Sequence, residues 1–514
     1  MPSKAPKAQR SMIQKASLIF APIVFILLWL LDLDPSRPEV SRMAAVAGAM
    51  AILWMTESIP LAATALIPMV LFPLMGILSG KATAAVYFNS TIFLFLGGFL
   101  IALAMERWNL HKRIALVTVL TIGGGPSRII FGFMVAGAFL SMWISNTATA
   151  VMMLPIALSI IKKMEAVFPE TDTQNFSIAL LLGIAYSTSM GGFATPVGTP
   201  PNLVLMRTFT QMFPQAPPIA FGTWFIMALP ISIAMIAMIW FLLTSVLLKI
   251  PSHLSVDHAV MQAEYKALGP MTNEERKVLT IFALTAVLWI FRNDLVLGSF
   301  TLPGWGQLLP FPKMIDDGTV AVAMALILFF LPTKSDDAKS AMLLDPSVFS
   351  KLPWAVILLF GGGFALAAGF QNSGLSAFIG SQLKILERVT PVFMVATICT
   401  TLTFLTEMTS NTATTQMILP ILSSIAVAMK TNPLLLLIPA TLSASCAFMM
   451  PIATPPNAII FGSGRIRMSQ MIRTGFLLNV LGIMVVTAMF YFVGLFVFSI
   501  DPATAPMWAL AAVN

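Results

Sequence analysis

The sequence predicts an all-α polytopic membrane protein, with about 11 transmembrane helices of ~20 residues and two re-entrant helical hairpins in an inverted repeat. Three observations predict it. Of 514 residues, 58% are hydrophobic and only 10% charged, with a mean hydropathy of +0.90; a soluble domain carries roughly 25% charged residues. The text also repeats: Ser145 opens SNTATAVMMLPI and Ser410 opens SNTATTQMILPI, identical at 9 of 12 positions. Each copy has a Pro-rich companion downstream, Gly198-Thr199-Pro200-Pro201-Asn202 for the first and Ala453-Thr454-Pro455-Pro456-Asn457 for the second.

The elements follow in order. The first 15 residues are polar and basic, and the apolar run 16–31 reads as a retained first span rather than a cleaved signal. Residues 1–41 thus make a cytoplasmic segment and the first transmembrane helix. Apolar stretches predict helices over 43–56, 60–74 and 91–105, and then comes a polar, basic stretch, 106–113. Segments 129–144 and 150–161 flank the first Ser-Asn-Thr and form a re-entrant hairpin, 129–162. A span over 176–189 meets a break at 195–202, a short helix starts at Leu203, and a long span covers 223–248. The mixed-charge loop that follows makes 251–275 a cytoplasmic linker between halves.

The second half repeats the plan. Spans are expected over 278–291, 319–331 and 354–369, a second hairpin over 391–428, a span over 434–450, a break at 451–457 and a last span over 475–498. Ser145 to Ser410 and Gly97 to Gly362 are both separated by 265 residues, and Asn202 to Asn457 by 255. Residues 42–250 and 276–499 are therefore the two repeats, and 500–514 is an extracytoplasmic tail. If both hairpins enter and leave on one side, the N-terminus is cytoplasmic and 20 of the 29 Lys and Arg fall inside, as the positive-inside rule requires. Each unit then holds an odd number of spans, so the two units are inverted.

Broken helices inside a bilayer leave costly unpaired backbone groups, tolerated where they are buried in protein or line a wet cavity. The Ser-Asn-Thr tips offer hydroxyls and an amide. Helices expected to start just after them, from Ala148 and Ala413, aim positive dipole ends at one place, which suits an anion. Carbonyls ending the preceding half-helices suit Na⁺. The companion breaks are forced by proline, which removes amide donors and disfavours helix at the residue before it. Gly198 and Ala453 are small enough for close backbone approach. None of the four stretches contains Lys or Arg. A dianion held there needs co-bound cations to offset its charge.

Other signals exclude other chemistry. His111, His253 and His258 fall in expected loops, which removes support for a metal centre, a catalytic triad or any intramembrane enzyme. Gly123-Gly124-Gly125 is a turn. Cys399 and Cys446 lie in apolar stretches and make no disulfide framework. The net charge of +8 comes from bases scattered at span ends and does not call for nucleic acid. Glu57 and Glu407 read first as caps or charge partners, with ion carriage the alternative.

The paired SNTAT motifs, the GTPPN and ATPPN breaks and WMTESIP (Trp54 to Pro60) resemble the divalent anion/sodium symporters, the sodium–dicarboxylate and sodium–citrate cotransporters of solute carrier family 13. The resemblance covers residues 43–498. It implies a homodimer in the plasma (inner) membrane, each protomer with a scaffold domain and a transport domain that moves as an elevator. It implies Na⁺ as the co-transported ion at two or more sites, and no organic cofactor. One Na⁺ would sit near Ser141, Ser145, Asn146 and Gly198, and another near Thr406, Thr409, Asn411 and Ala453. The substrate carboxylates would be held by Ser145, Asn146, Thr147, Ser410, Asn411 and Thr412, with Thr199, Pro200, Thr454 and Pro455 lining the pocket. The expected activity is sodium-coupled import of C4-dicarboxylates such as succinate, malate and fumarate. The alternatives are a sodium-independent dicarboxylate exchanger, a citrate-preferring symporter, or an ion-translocating antiporter without organic substrate. An exchanger is expected to carry a basic side chain where Na⁺ would sit, and none stands there.

Overall fold

The computed structural model describes residues 11–251, 259–297, 300–334, 341–382, 390–502 and 504–510. Within them the chain is helical almost throughout. Among the described residues six helices are long and apolar enough to cross a membrane: Met12–Leu30, Gly80–Arg107 taken with its two-residue bend, Asn146–Glu165, Phe221–Leu247, Trp354–Asn372 and Met468–Val497. Other apolar helices are shorter, including Leu61–Leu74, Pro126–Ser141, Asp317–Phe330, Pro391–Leu405 and Leu434–Ala444. The strands among the described residues are one small antiparallel pair, Leu295–Leu297 with Phe300–Leu302, beside an isolated bridge between Pro332 and Met342.

Local chemistry sets most boundaries. Ser11 caps the first helix, its hydroxyl accepting from Gln14 N (3.2 Å) while the Gln14 side chain accepts from Ser11 N (3.0 Å). Pro38 occupies the first turn of Pro38–Thr56, where its missing N–H costs nothing, so this helix starts five residues before the expected position. It ends at Glu57 in the left-handed conformation (φ 47°). Glu57 is exposed, and its carbonyl accepts from the Gln14 side chain (3.2 Å). It is a helix terminator.

Three expected loops hold helices. The basic stretch 106–113 is only a turn at Asn109 (φ 56°) followed by Leu110–Ile122, so His111 lies on a helix and its Nδ1 meets Met105 O at 3.0 Å. His253 and His258 lie outside the described residues. The charges that suggested a loop are anchors. Lys112 pairs with Glu264 at 3.0 Å, and the buried Arg113 guanidinium grips both Glu275 oxygens at 3.0 Å. The expected linker contains Ala259–Ala267, and Thr272 with Glu275 forms the capping box of Asn273–Ile290. Leu375–Gln382 is the third, and Gly80–Tyr87 is a further helix without a sequence forecast. In a loop outside the spans, Asp345 accepts from the Ser347 amide (2.8 Å) and from Arg107 (2.6 Å). Ser347 and then Arg107 hold its carboxyl at about 2, below the ordinary 3.8.

Corresponding pieces of the halves make corresponding contacts. Gly97, on Ser90–Arg107, lies so close to Asp317–Phe330 that an added Cβ would stand 2.6 Å from the Ala321 Cβ. Gly362, on Trp354–Asn372, stands in the same relation to Ala65 Cα (2.6 Å), at the joint between Leu61–Thr64 and Ile67–Leu74. Each half thus lends a helix to the other's Gly-rich span.

Candidate functional site

Each Ser-Asn-Thr sits at a sharp joint between two helices, Pro126–Ser141 and Asn146–Glu165 in the first copy and Pro391–Leu405 and Asn411–Ala428 in the second. The second helix of each pair starts two residues earlier than the sequence suggested. Ser145 and Ser410 are the N-caps, which puts Asn146 and Asn411 in the first turn, where backbone N–H groups have no partner within the helix. Ser145 Oγ accepts from Ala148 N at 3.2 Å, whereas Ser410 makes no side-chain cap.

The two tips are wired alike. Ser141 donates to Asn146 Oδ1. In the second copy Thr406, the counterpart of Ser141, donates to Asn411 Oδ1 at 2.6 Å. Thr406 also reaches Ala444 O (2.9 Å), where the companion helix Leu434–Ala444 ends. Thr409 shares a hydroxyl–hydroxyl bond with Thr414 (2.6 Å).

The companion breaks are wired alike too. Glu170–Gly192 stops before Pro196, and a new helix, Pro200–Met212, starts on its own proline pair. The sequence placed that start at Leu203, but proline suits the first turn of a helix. Leu434–Ala444 likewise stops six residues before the expected Met450, and Pro455–Phe461 resumes. Inside the breaks, Asn202 Nδ2 donates to Phe193 O (3.2 Å) and Thr195 O (2.7 Å). Asn457 Nδ2 donates to Ala447 O (3.0 Å) and Met450 O (3.1 Å). The amide oxygens of both asparagines are buried without a partner among the described residues.

Tips and breaks meet. Asn146 packs on Gly192, where an added Cβ would lie 2.6 Å from Asn146 Oδ1, and a Cβ on Gly198 would collide with the Gly192 carbonyl. Thr195 ties the first break to the tip by donating to Met142 O. Ser141, Asn146 and Gly198 are therefore neighbours around one break. In the second copy the tie is a carboxyl side chain. Glu407, buried at 3% exposure, accepts from the amides of Phe448 (2.6 Å), Met449 (2.8 Å) and Met450 (2.9 Å) and from Asn479 Nδ2 (2.8 Å). Its position corresponds to Met142, and its partners are the amides of the second break and an asparagine rather than the following helix or a basic side chain. Tyr186, from the first half, donates to Phe448 O at 2.8 Å.

The halves are also crossed. Pro200–Met212 packs on Asn411–Ala428, and Pro455–Phe461 packs on Asn146–Glu165. The helix leaving each break thus lies against the helix leaving the other tip. Trp143, beside the first tip, lies against Phe221 (6.2 Å) and Trp289 (6.5 Å), which stack on each other at 4.9 Å and make an aromatic floor supplied by two further spans. Among the described residues no group of His, Cys, Asp and Glu could hold a transition metal, and Cys399 and Cys446 are buried free thiols. The donors gathered here are neutral oxygens and amides, fit for an alkali cation and for carboxylate groups. Sequence reasoning passed over Arg207, on the helix that leaves the first break. Seven residues after Pro200, it shares that proline's helical register.

Comparison with known proteins agrees with this architecture. The family model for the sodium:sulfate symporter transmembrane region matches residues 11–499. The sodium-dependent dicarboxylate transporter SdcS of Staphylococcus aureus (strain bovine RF122 / ET3-1) is 42% identical over 494 residues, 95% of this chain and 92% of its own length. The SdcS of strain MRSA252 is 41% identical over the same length. Among solved structures, the YdaH transporter of Alcanivorax borkumensis aligns with a TM-score of 0.52 at 13% identity, covering 82% of this chain and 87% of its own. MtrF of Neisseria gonorrhoeae, from a class of antimetabolite efflux pumps, aligns at 0.54 and 12% identity, covering 85% and 87%. At such identities the likeness is one of fold. The curated relatives are transporters rather than enzymes, and this is an integral membrane transport protein. The chain belongs to the sodium:sulfate symporter transmembrane family, the divalent anion:Na⁺ symporters.

Proposed function

We propose that this protein is a sodium-coupled secondary active symporter that imports C4-dicarboxylates such as succinate, malate and fumarate. The observation that carries the reading is the pair of crossed half-sites, each built from a Ser-Asn-Thr tip and a Pro-Pro-Asn break. Ser145, Asn146, Thr147, Ser410, Asn411 and Thr412 hold the carboxylates, and Thr199, Pro200, Thr454 and Pro455 wall the pocket. One Na⁺ binds among Ser141, Ser145, Asn146 and Gly198, the other among Thr406, Thr409, Asn411 and Ala453. The absence of Lys and Arg from the tips favours symport over exchange, because a dianion in the membrane then depends on cations that travel with it. The dicarboxylate named for the relative at 42% identity supports the substrate class.

The same reading gives the motion. The tips belong to re-entrant hairpins in inverted repeats, 42–250 and 276–499, with the N-terminus cytoplasmic and the C-terminus extracytoplasmic. The hairpins with their companion helices form the mobile body of an elevator, in a homodimer whose remaining spans form the scaffold. Uptake of radiolabelled succinate into liposomes holding the purified protein tests this. An inward Na⁺ gradient is expected to drive accumulation, K⁺ in its place to abolish it, and unlabelled malate and fumarate to compete better than citrate or sulfate. Uptake that needs preloaded dicarboxylate and ignores Na⁺ would make the protein an exchanger and contradict the proposal.

A further inference from the structure

Among the described charged side chains, Arg207 is the one with a buried nitrogen or oxygen that has no hydrogen-bond partner. It lies in the middle of Pro200–Met212, is half-buried, and its Nε is buried without a hydrogen-bond partner. The helices packed on this one are Ser90–Arg107, Trp354–Asn372, Asn411–Ala428 and Leu434–Ala444. They contain a single acid, Glu106, in the last turn of the first, and it makes no bond to Arg207. A guanidinium in such surroundings is costly unless something negative visits it.

Its register shows what could visit. At 100° per residue, seven residues bring Arg207 back to within about 20° of Pro200, and about 10 Å along the axis. Long helical side chains lean toward the helix N-terminus, so the guanidinium reaches back toward the break. The accessible positions of this helix are Pro200, Met206, Arg207, Thr210 and Gln211, and the others are buried. Met206, Arg207, Thr210 and Gln211 form one stripe toward the end of the bundle where Trp508, in the C-terminal helix Met507–Leu510, packs on Phe209 and Phe213, and Pro200 at the candidate pocket shares their face beyond the buried Leu203 and Val204. Gln211, one turn beyond Arg207, leaves its buried Oε1 without a partner as well.

We propose that Arg207 is an anion-docking residue on the access path. It binds one carboxylate of a dicarboxylate transiently before the dianion settles between the Ser-Asn-Thr tips. The inference rests on the dicarboxylate reading above and adds a fixed positive charge that the tips lack. A charge beside the path raises the encounter rate of a dianion and loses that effect as salt screens it. The chloride and phosphate of the medium compete for the same guanidinium, so the site is weak and the anion leaves it readily.

The test compares wild type, Arg207→Gln and Arg207→Lys in liposomes, reading initial succinate uptake at constant saturating Na⁺ and varied ionic strength. Arg207→Gln is expected to raise KM about tenfold at low ionic strength, leave kcat unchanged and flatten the salt dependence. Arg207→Lys, which keeps the charge, is expected to stay near wild type in KM and salt response. A wild-type KM in Arg207→Gln overturns the proposal. So does an Arg207→Lys protein with a raised KM or a flat salt response, because the loss would then belong to packing; this variant decides the matter if Arg207→Gln does not fold. Wild type that takes up no succinate with Na⁺ defeats the underlying reading, an outcome distinct from either.

Discussion

Asn146 and Asn411 show how much work one side chain does at each tip. Each amide oxygen is already engaged by the hydroxyl five residues earlier, which fixes the side chain's orientation and, in the proposed function, turns its NH₂ to the ligand. Glu407 does the corresponding work for the second break, gathering three consecutive backbone amides that proline and chain reversal leave without helical partners. All four groups facing it are N–H donors, so a side-chain amide in its place would present N–H to N–H. Glu407→Gln is therefore expected to cost roughly 2 kcal/mol or more of stability and to weaken Na⁺ protection. Melting curves of the purified protein with and without Na⁺ check this; an unchanged curve would show that the break holds itself. The motif residues were legible because two copies of an improbable text stood out. Glu407 was legible only as an ambiguity, since its three partners are backbone groups that carry no sequence signal. Arg207 went unread because its meaning depends on the absence of neighbours.

At the scale of elements, the positions of breaks were readable and their edges were not. Proline names a break, but it tolerates the first helical turn, so Pro200–Met212 and Pro38–Thr56 both start earlier than apolar content suggests. Leu110–Ile122 was missed for the opposite reason, because its charged first turn looks solvated until its partners are known. Arg113 and Glu275 are only 7% and 4% exposed, and the guanidinium also holds the carbonyls of Leu268, Gly269 and Pro270. Removing one member of such a pair strands the other, at a cost of about 3–5 kcal/mol. Glu275→Ala should accordingly lower the melting temperature sharply and expose the 259–272 segment to protease. Glu275→Gln, which keeps the capping-box acceptor, should be milder. Equal stability of all three proteins would show that this pair is not what fastens the linker to the bundle.

For the whole molecule, the repeat was visible as a constant offset, and the structure adds how the halves are joined. Gly97 with Ala321 and Gly362 with Ala65 exchange helices at one level. The crossed packing of Pro200–Met212 on Asn411–Ala428 and of Pro455–Phe461 on Asn146–Glu165 exchanges them again at the site. Neither arrangement can be read from periodicity, because contacts between residues some 250 positions apart depend on the fold alone. The consequence is that neither half stands by itself, since the helix that leaves each tip packs on the helix that leaves the other break. The Na⁺ dependence of succinate uptake by wild type, Asn146→Ala and Asn411→Ala, all confirmed folded and reconstituted at equal density, tests that claim most directly. Uptake is expected to fall to background in each single variant although the other copy is intact. A variant that keeps wild-type uptake with an unchanged Na⁺ dependence would contradict the account.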